Sequence, residues 1–238
     1  LSLTYFLPVF PSLYTQMQLE DYDNAFVGAA PRIKLPYESL VSAVVYIDDI
    51  NLTKIRRLDF NSDQNKMSVE LEASVSPPLP ILTFLGARYR IVTPYMYAHH
   101  PSAMDYLQYT HDGRHLGPLL HPNSDEFFVN AQTFPAEWLG LDLSFRRVRH
   151  GGPDGSSVWD HGLIDGTFVF TGPSTFLKQD LLEHLLQARA SVEAHIDFSP
   201  VELKIGLAYT YEQVINRDLV RGANDQAHLI EVSTAIRY

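Results

Sequence analysis

The residues that most constrain this chain are its last twelve, Ala227-His-Leu-Ile-Glu-Val-Ser-Thr-Ala-Ile-Arg-Tyr238. Ile230, Val232, Thr234, Ile236 and Tyr238 share one parity, and Leu229, Glu231, Ser233, Ala235 and Arg237 share the other. Successive side chains of a strand point to opposite faces, so the segment reads as a strand with one apolar side and one wet side that carries charge. About ten such residues ending on an aromatic have the pattern of the closing strand of an outer-membrane β-barrel.

The pattern recurs upstream. In 201–212, Val201, Leu203, Ile205, Leu207, Tyr209 and Tyr211 alternate with Glu202, Lys204, Gly206, Ala208, Thr210 and Glu212. Only Ser199-Pro200 separates this segment from the strand expected over 188–198, which reads as a tight turn. Further strands are expected over 1–10, 25–34, 39–49, 66–76, 81–92, 124–134 and 138–148, with Pro-containing turns at one end. The connections at the other end run over about 11–22, 50–64, 95–123, 149–187 and 213–226, the last long and polar. Residues 174–187 have helical spacing, fitting either a short helix in the longest loop or a lead into the next strand. Roughly ten strands in up-and-down order, with short turns at one end and long loops at the other, predict an all-β antiparallel transmembrane β-barrel. Residues 1–238 are read as a single such domain, with short periplasmic turns and long extracellular loops.

In that reading one face collects the lumen-facing charges Glu70, Glu72, Arg88, Arg90, Asp142, Arg146, Arg189, Glu193, Asp197, Glu202, Lys204, Glu231 and Arg237. Seven acids meet six bases there, which suits an ionic network filling the lumen. The other face is a band of Leu, Val, Ile and Tyr that a soluble protein does not leave exposed. A soluble β-sandwich that buries this band is the competing fold.

Composition narrows the function classes. Charged residues make up 19% of the chain, against about 25% in a typical soluble domain. No run of about 18 apolar residues offers a transmembrane helix. The formal net charge is −10 and no basic cluster exists, so no nucleic-acid partner is expected. With no cysteine, disulfides, thiolate metal sites and cysteine nucleophiles are excluded. The sequence starts Leu1-Ser-Leu-Thr, with neither an initiator Met nor a signal peptide, so an exported barrel is expected to be N-terminally incomplete here.

The stretch from Tyr95 to His121 holds five of the ten histidines, together with Tyr97, Tyr106, Tyr109, Asp105, Asp112 and Arg114. Their spacing matches no metal motif, so no metal is assigned, and no nucleophile elbow or phosphate loop marks a catalytic site. Aromatic rings among polar groups suit sugars: rings stack on pyranose faces while charged and amide groups bond the hydroxyls. The candidate glycan-binding residues are Tyr97, His99, Tyr106, Tyr109, His111, Arg114, Asp125, Arg147, Arg149 and Trp159. Phe145, Tyr209, Tyr211 and Tyr238 read instead as an interfacial aromatic girdle.

Three runs resemble the Wzi-like capsule-assembly family: Arg88-Tyr-Arg-Ile-Val-Thr-Pro-Tyr-Met-Tyr-Ala-His99, Tyr109-Thr-His-Asp-Gly-Arg-His-Leu-Gly117 and Pro122-Asn-Ser-Asp-Glu126. That family has Pro-Tyr-x-Tyr-x-His, then Tyr-x-x-x-Gly-x-x-Leu-Gly, then Gly-Pro-Asn-x-Asp-Glu at a strand start. Tyr46-Ile-Asp-Asp-Ile50 and Arg146-Arg-Val-Arg-His-Gly151 also sit where the family has similar elements, so the resemblance covers about 40–151. His121 replaces the usual Gly, and Pro118 stands where a His is frequent. The resemblance implies a barrel of about eighteen strands, of which this chain is the C-terminal portion. It also implies a non-enzymatic, lectin-like hold on surface polysaccharide, without cofactor, in the bacterial outer membrane. Passive solute conduction is the alternative function. The expected partners are surface polysaccharide, outer-membrane lipid and the barrel-assembly machinery, which would read the C-terminal strand ending in Tyr238.

Overall fold

Alternation becomes a meander of long antiparallel strands. A computed structural model describes residues 27–49, 66–79, 82–94, 96, 110–111, 114–115, 120–152, 161–164, 167–170, 176–177 and 180–237. Its strands are β1 (Val27–Ala29), β2 (Arg32–Leu35), β3 (Ser39–Asp49), β4 (Lys66–Val75), β5 (Phe84–Val92), β6 (Thr110–His111), β7 (Arg114–His115), β8 (Ser124–Ala136) and β9 (Leu139–Gly151). They continue as β10 (His161–Ile164), β11 (Thr167–Phe170), β12 (Leu182–Phe198), β13 (Val201–Ile215) and β14 (Asp225–Arg237).

Ten of them form one sheet in the order β1-β3-β4-β5-β8-β9-β12-β13-β14, with β2 also on β3. β1 and β2 pair with successive parts of β3 and are one interrupted strand, bridged where the Ala43 amide donates to the Pro31 carbonyl at 3.1 Å. The short pairs β6–β7 and β10–β11 fall in the intervals after β5 and after β9. The sheet does not close: among the described residues β14 pairs only with β13, and β1 and β2 only with β3. The strand expected over 1–10 lies outside the described residues.

The two ends of the sheet differ as alternating short and long connections require. At one end the turns after β2, β4, β8 and β12 have three, eight, two and two residues. At the other, the intervals after β3, β5, β9 and β13 have 16, 31, 30 and 9. The last is shorter than the 213–226 expected, because the polar residues Gln213 and Gln226 still pair across the ladder. It is also well tied: Asn216 donates from Nδ2 to the Leu182 carbonyl at 3.0 Å and accepts from the Gly222 amide at 3.0 Å. Of the two readings of 174–187, the lead into a strand applies from Leu182 onward. Residues 182–187 pair with 146–151 on one side and, from His184, with 212–215 on the other. Two flanking ladders outweigh the helical spacing of the Leu residues, since tertiary pairing overrides local pattern.

Register fixes the faces. One row runs Leu71–Tyr89–Phe127–Arg147–Leu186 and a parallel one Ala87–Val129–Phe145–Ala188–Tyr211. On the opposite face run Glu70–Arg90–Glu126–Val148 and Glu72–Arg88–Phe128–Arg146–Gln187–Glu212. Exposure is inverted relative to a water-soluble fold. Leu143 on the apolar face is 60% exposed and Val232 71%, while Glu126 on the polar face is 1% exposed. Ser42, Lys66, Ser68 and Thr210 of the polar face are buried as well. Such shelter of the polar side is what a sheet curled toward that side produces.

Candidate functional site

The polar face is organised around Glu126. Its carboxylate accepts from Arg88 Nη2 at 2.8 Å and Nε at 3.2 Å, and from Arg146 Nε at 2.7 Å, with Arg90 Nη1 at 3.7 Å. Arg90 also donates from Nε to Glu70 at 2.6 Å, and Arg88 lies 5.0 Å from the Phe128 ring centroid. Glu70, Glu72 and Glu126 thus offset Arg88, Arg90 and Arg146 across adjacent cross-strand positions. Charge-assisted bonds of this kind hold a buried carboxylate that would otherwise be costly to desolvate.

Above this network, toward the long-interval end, the same face turns apolar. Val92, Met96 and Leu120 form a buried cluster, with Tyr46 and Val148 packed against it. Farther along the sheet the expected charges share the polar face but are more open. Arg189 pairs with Glu231 and reaches Thr210 Oγ1 at 3.4 Å, and Glu193 contacts His195. Glu202 stands opposite Arg237 and Asp197, Lys204 stands opposite His195, and Asp142 stands opposite Ser191. All of these charged positions fall on one face by register.

The run Pro122–Glu126 is buried at every position. Asn123 adopts a left-handed φ of 54°, which Asn tolerates better than most residues. Its Nδ2 donates to the Gly151 carbonyl at 2.8 Å, its Oδ1 accepts from the Leu177 amide at 2.9 Å, and its own carbonyl accepts from the Gly151 amide at 3.0 Å. Neither Asn123 nor Glu126 is among the glycan-binding residues the sequence suggests, although both lie in the run Pro122-Asn-Ser-Asp-Glu126.

Asp125, next to Glu126, points to the opposite, apolar face at its long-interval end. Arg149 holds it by two bonds, the Nε one at 2.9 Å, and the Tyr89 hydroxyl donates to it at 2.7 Å. Of the expected glycan contacts, Asp125 and Arg149 are therefore brought together and engage each other. Arg147 lies on the same face, opposite Phe127 and Leu186. His111 and Arg114 are backbone partners in the β6–β7 ribbon. Tyr97, His99, Tyr106, Tyr109 and Trp159 lie outside the described residues, as does Tyr238.

On the apolar face Phe198 is exposed at the short-turn end, and Phe127 and Phe145 are exposed toward the other, with Tyr209 level with Leu143. Phe134 and Trp138, also exposed at the short-turn end, lie on the polar side: the Phe134 ring covers Gly140, and Trp138 lines a hollow with His195, Asp197, Glu202 and Lys204. The Tyr209 hydroxyl meets His228 Nδ1 at 2.8 Å. No family model, curated protein or solved structure matches this chain.

Proposed function

We propose that this sheet is a sector of an outer-membrane β-barrel whose long-interval end binds a surface polysaccharide. The observation that carries the membrane half is the inverted exposure: a sheltered, ion-paired polar face backed by an open apolar one. Water penalises that arrangement, while a lipid bilayer favours it. The turn asymmetry and the 13- to 17-residue strands β8, β9, β12, β13 and β14 agree, since about 9–11 tilted residues span the hydrocarbon. Edge strands with unpaired backbone are not tolerated in lipid, so the edges of β14 and of β1 and β2, which have no partner among the described residues, call for further strands to close the wall. The exposed β14 is also the segment that barrel-assembly machinery would engage.

The glycan half rests on the Tyr- and His-rich 95–121 segment and on the resemblance of 40–151 to capsule-assembly barrels. Passive conduction is disfavoured by the neutral Glu126 network and by the apolar Val92–Met96–Leu120 cluster, which together occupy the polar face where a channel lining would run. Heat-modifiable migration in detergent gels tests the wall, and its absence refutes the membrane half. Replacing Tyr97, Tyr109 and Arg114 together by Ala tests the glycan half, with cell-surface polysaccharide as the readout. Retention of surface polysaccharide in that variant, or steady conductance in planar bilayers without glycan retention, refutes it.

A further inference from the structure

On the apolar face, a cavity of about 730 Å³ at the long-interval end is lined by Phe127, Phe145, Arg147, His184, Leu186 and Ile215, with Asn216 at its rim. It joins charge to hydrocarbon. Arg149 is committed to Asp125, and no described carboxylate pairs with Arg147. Directly below, β12 presents Ala188 and Ala190 between the taller Leu143 and Phe145 of β9 and the Tyr209 and Tyr211 of β13, leaving a hollow of about 430 Å³. The hollow and the cavity share Phe145 as a wall, so a furrow runs from Arg147 down the middle of the face.

Depth places the cation. Leu139, the first residue of β9 and on the same face, and Arg147 are eight residues apart, about 26 Å along a strand and about 20 Å across a bilayer at a tilt of about 40°. The outward apolar band of such barrels is about 25 Å tall. Arg147 therefore stands near its upper border, where headgroups begin, in a chain whose formal net charge is −10.

We propose that this furrow is a lipid-binding site: an acyl chain lies along Ala188 and Ala190, and Arg147 grips the lipid's phosphate headgroup. A guanidinium bonds phosphate oxygens two at a time, and the apolar hollow supplies what a free phosphate ion cannot use. The site rests on the membrane reading, and the test separates the two. The protein is reconstituted with spin-labelled phosphatidic acid or spin-labelled phosphatidylcholine, and the motionally restricted fraction of each is measured. Phosphatidic acid is expected to be preferred by about fivefold, the effect of one basic residue near a headgroup. Arg147→Gln should bring the ratio close to one, and Arg147→Lys should keep most of it. Equal preference in the unaltered protein, or a preference untouched by Arg147→Gln, overturns the lipid site while leaving a restricted shell of both lipids. No restricted lipid of either kind overturns the membrane reading itself, and the site with it.

Discussion

Asp125 and Glu126 are neighbours on β8, both nearly buried, and they live in different surroundings. Glu126 belongs to a face that is polar along most of its length, where three arginines and Glu70 share the charge. Asp125 belongs to a face that is apolar through its middle, and it is neutralised by one arginine and one tyrosine at the extreme end. Charge on the first face is distributed and fills space. Charge on the second is confined to a border. A molecule in water has no reason to sort its charges this way, because its open face is the one that solvates them.

The contrast is broken most directly at Leu143, in the middle of the open face. Leu143→Arg is expected to lower folding stability in lipid bilayers by about 2–4 kcal/mol, as cations do at a bilayer midplane. The same change on a water-facing strand stays within about 0.5 kcal/mol, so urea unfolding in liposomes distinguishes the two solvents. Next in size is Glu126→Gln, which leaves Arg88 and Arg146 without their shared carboxylate. A loss of about 2–3 kcal/mol is expected, below the top of the range for broken buried pairs because both arginines are about a third exposed and keep some solvation. Adding Arg146→Met should recover part of that loss, and strict additivity in this double-mutant cycle would contradict the shared hub.

These two positions also differ in how far the sequence discloses them. Leu143 sits in an unbroken alternation, so its face follows from parity alone. Glu126 does not, because Asp125 places a charge on the apolar parity and Phe128 an aromatic on the polar one, which cancels the signal over 124–128. Only the ladders to β5 and β9 decide it. Local pattern likewise favours neither outcome at 182–187, where Leu residues recur at helical spacing and pairing on both sides imposes a strand. Of the glycan candidates, sequence identifies residue types suited to sugars, but it cannot foresee that Asp125 and Arg149 satisfy each other across a ladder linking residues 24 apart.

The border cluster gives the smaller effects. Asp125→Asn keeps the shape and removes the charge, and should cost about 1–2 kcal/mol, since one charged hydrogen-bonded pair is weakened but Arg149 can turn to solvent or headgroups.

Tyr89→Phe is the gentlest cut and the sharpest comparison. It removes one hydroxyl that donates to Asp125 at 2.7 Å and leaves the ring in its apolar-face row between Leu71 and Phe127. The expected loss is about 1 kcal/mol in the otherwise unaltered protein. In the Asp125→Asn background the same substitution should cost less, because the acceptor it served no longer carries charge. If Tyr89→Phe costs as much there as in the unaltered protein, the hydroxyl serves the surroundings of the open face directly rather than Asp125, and the two faces of β8 differ in solvation alone.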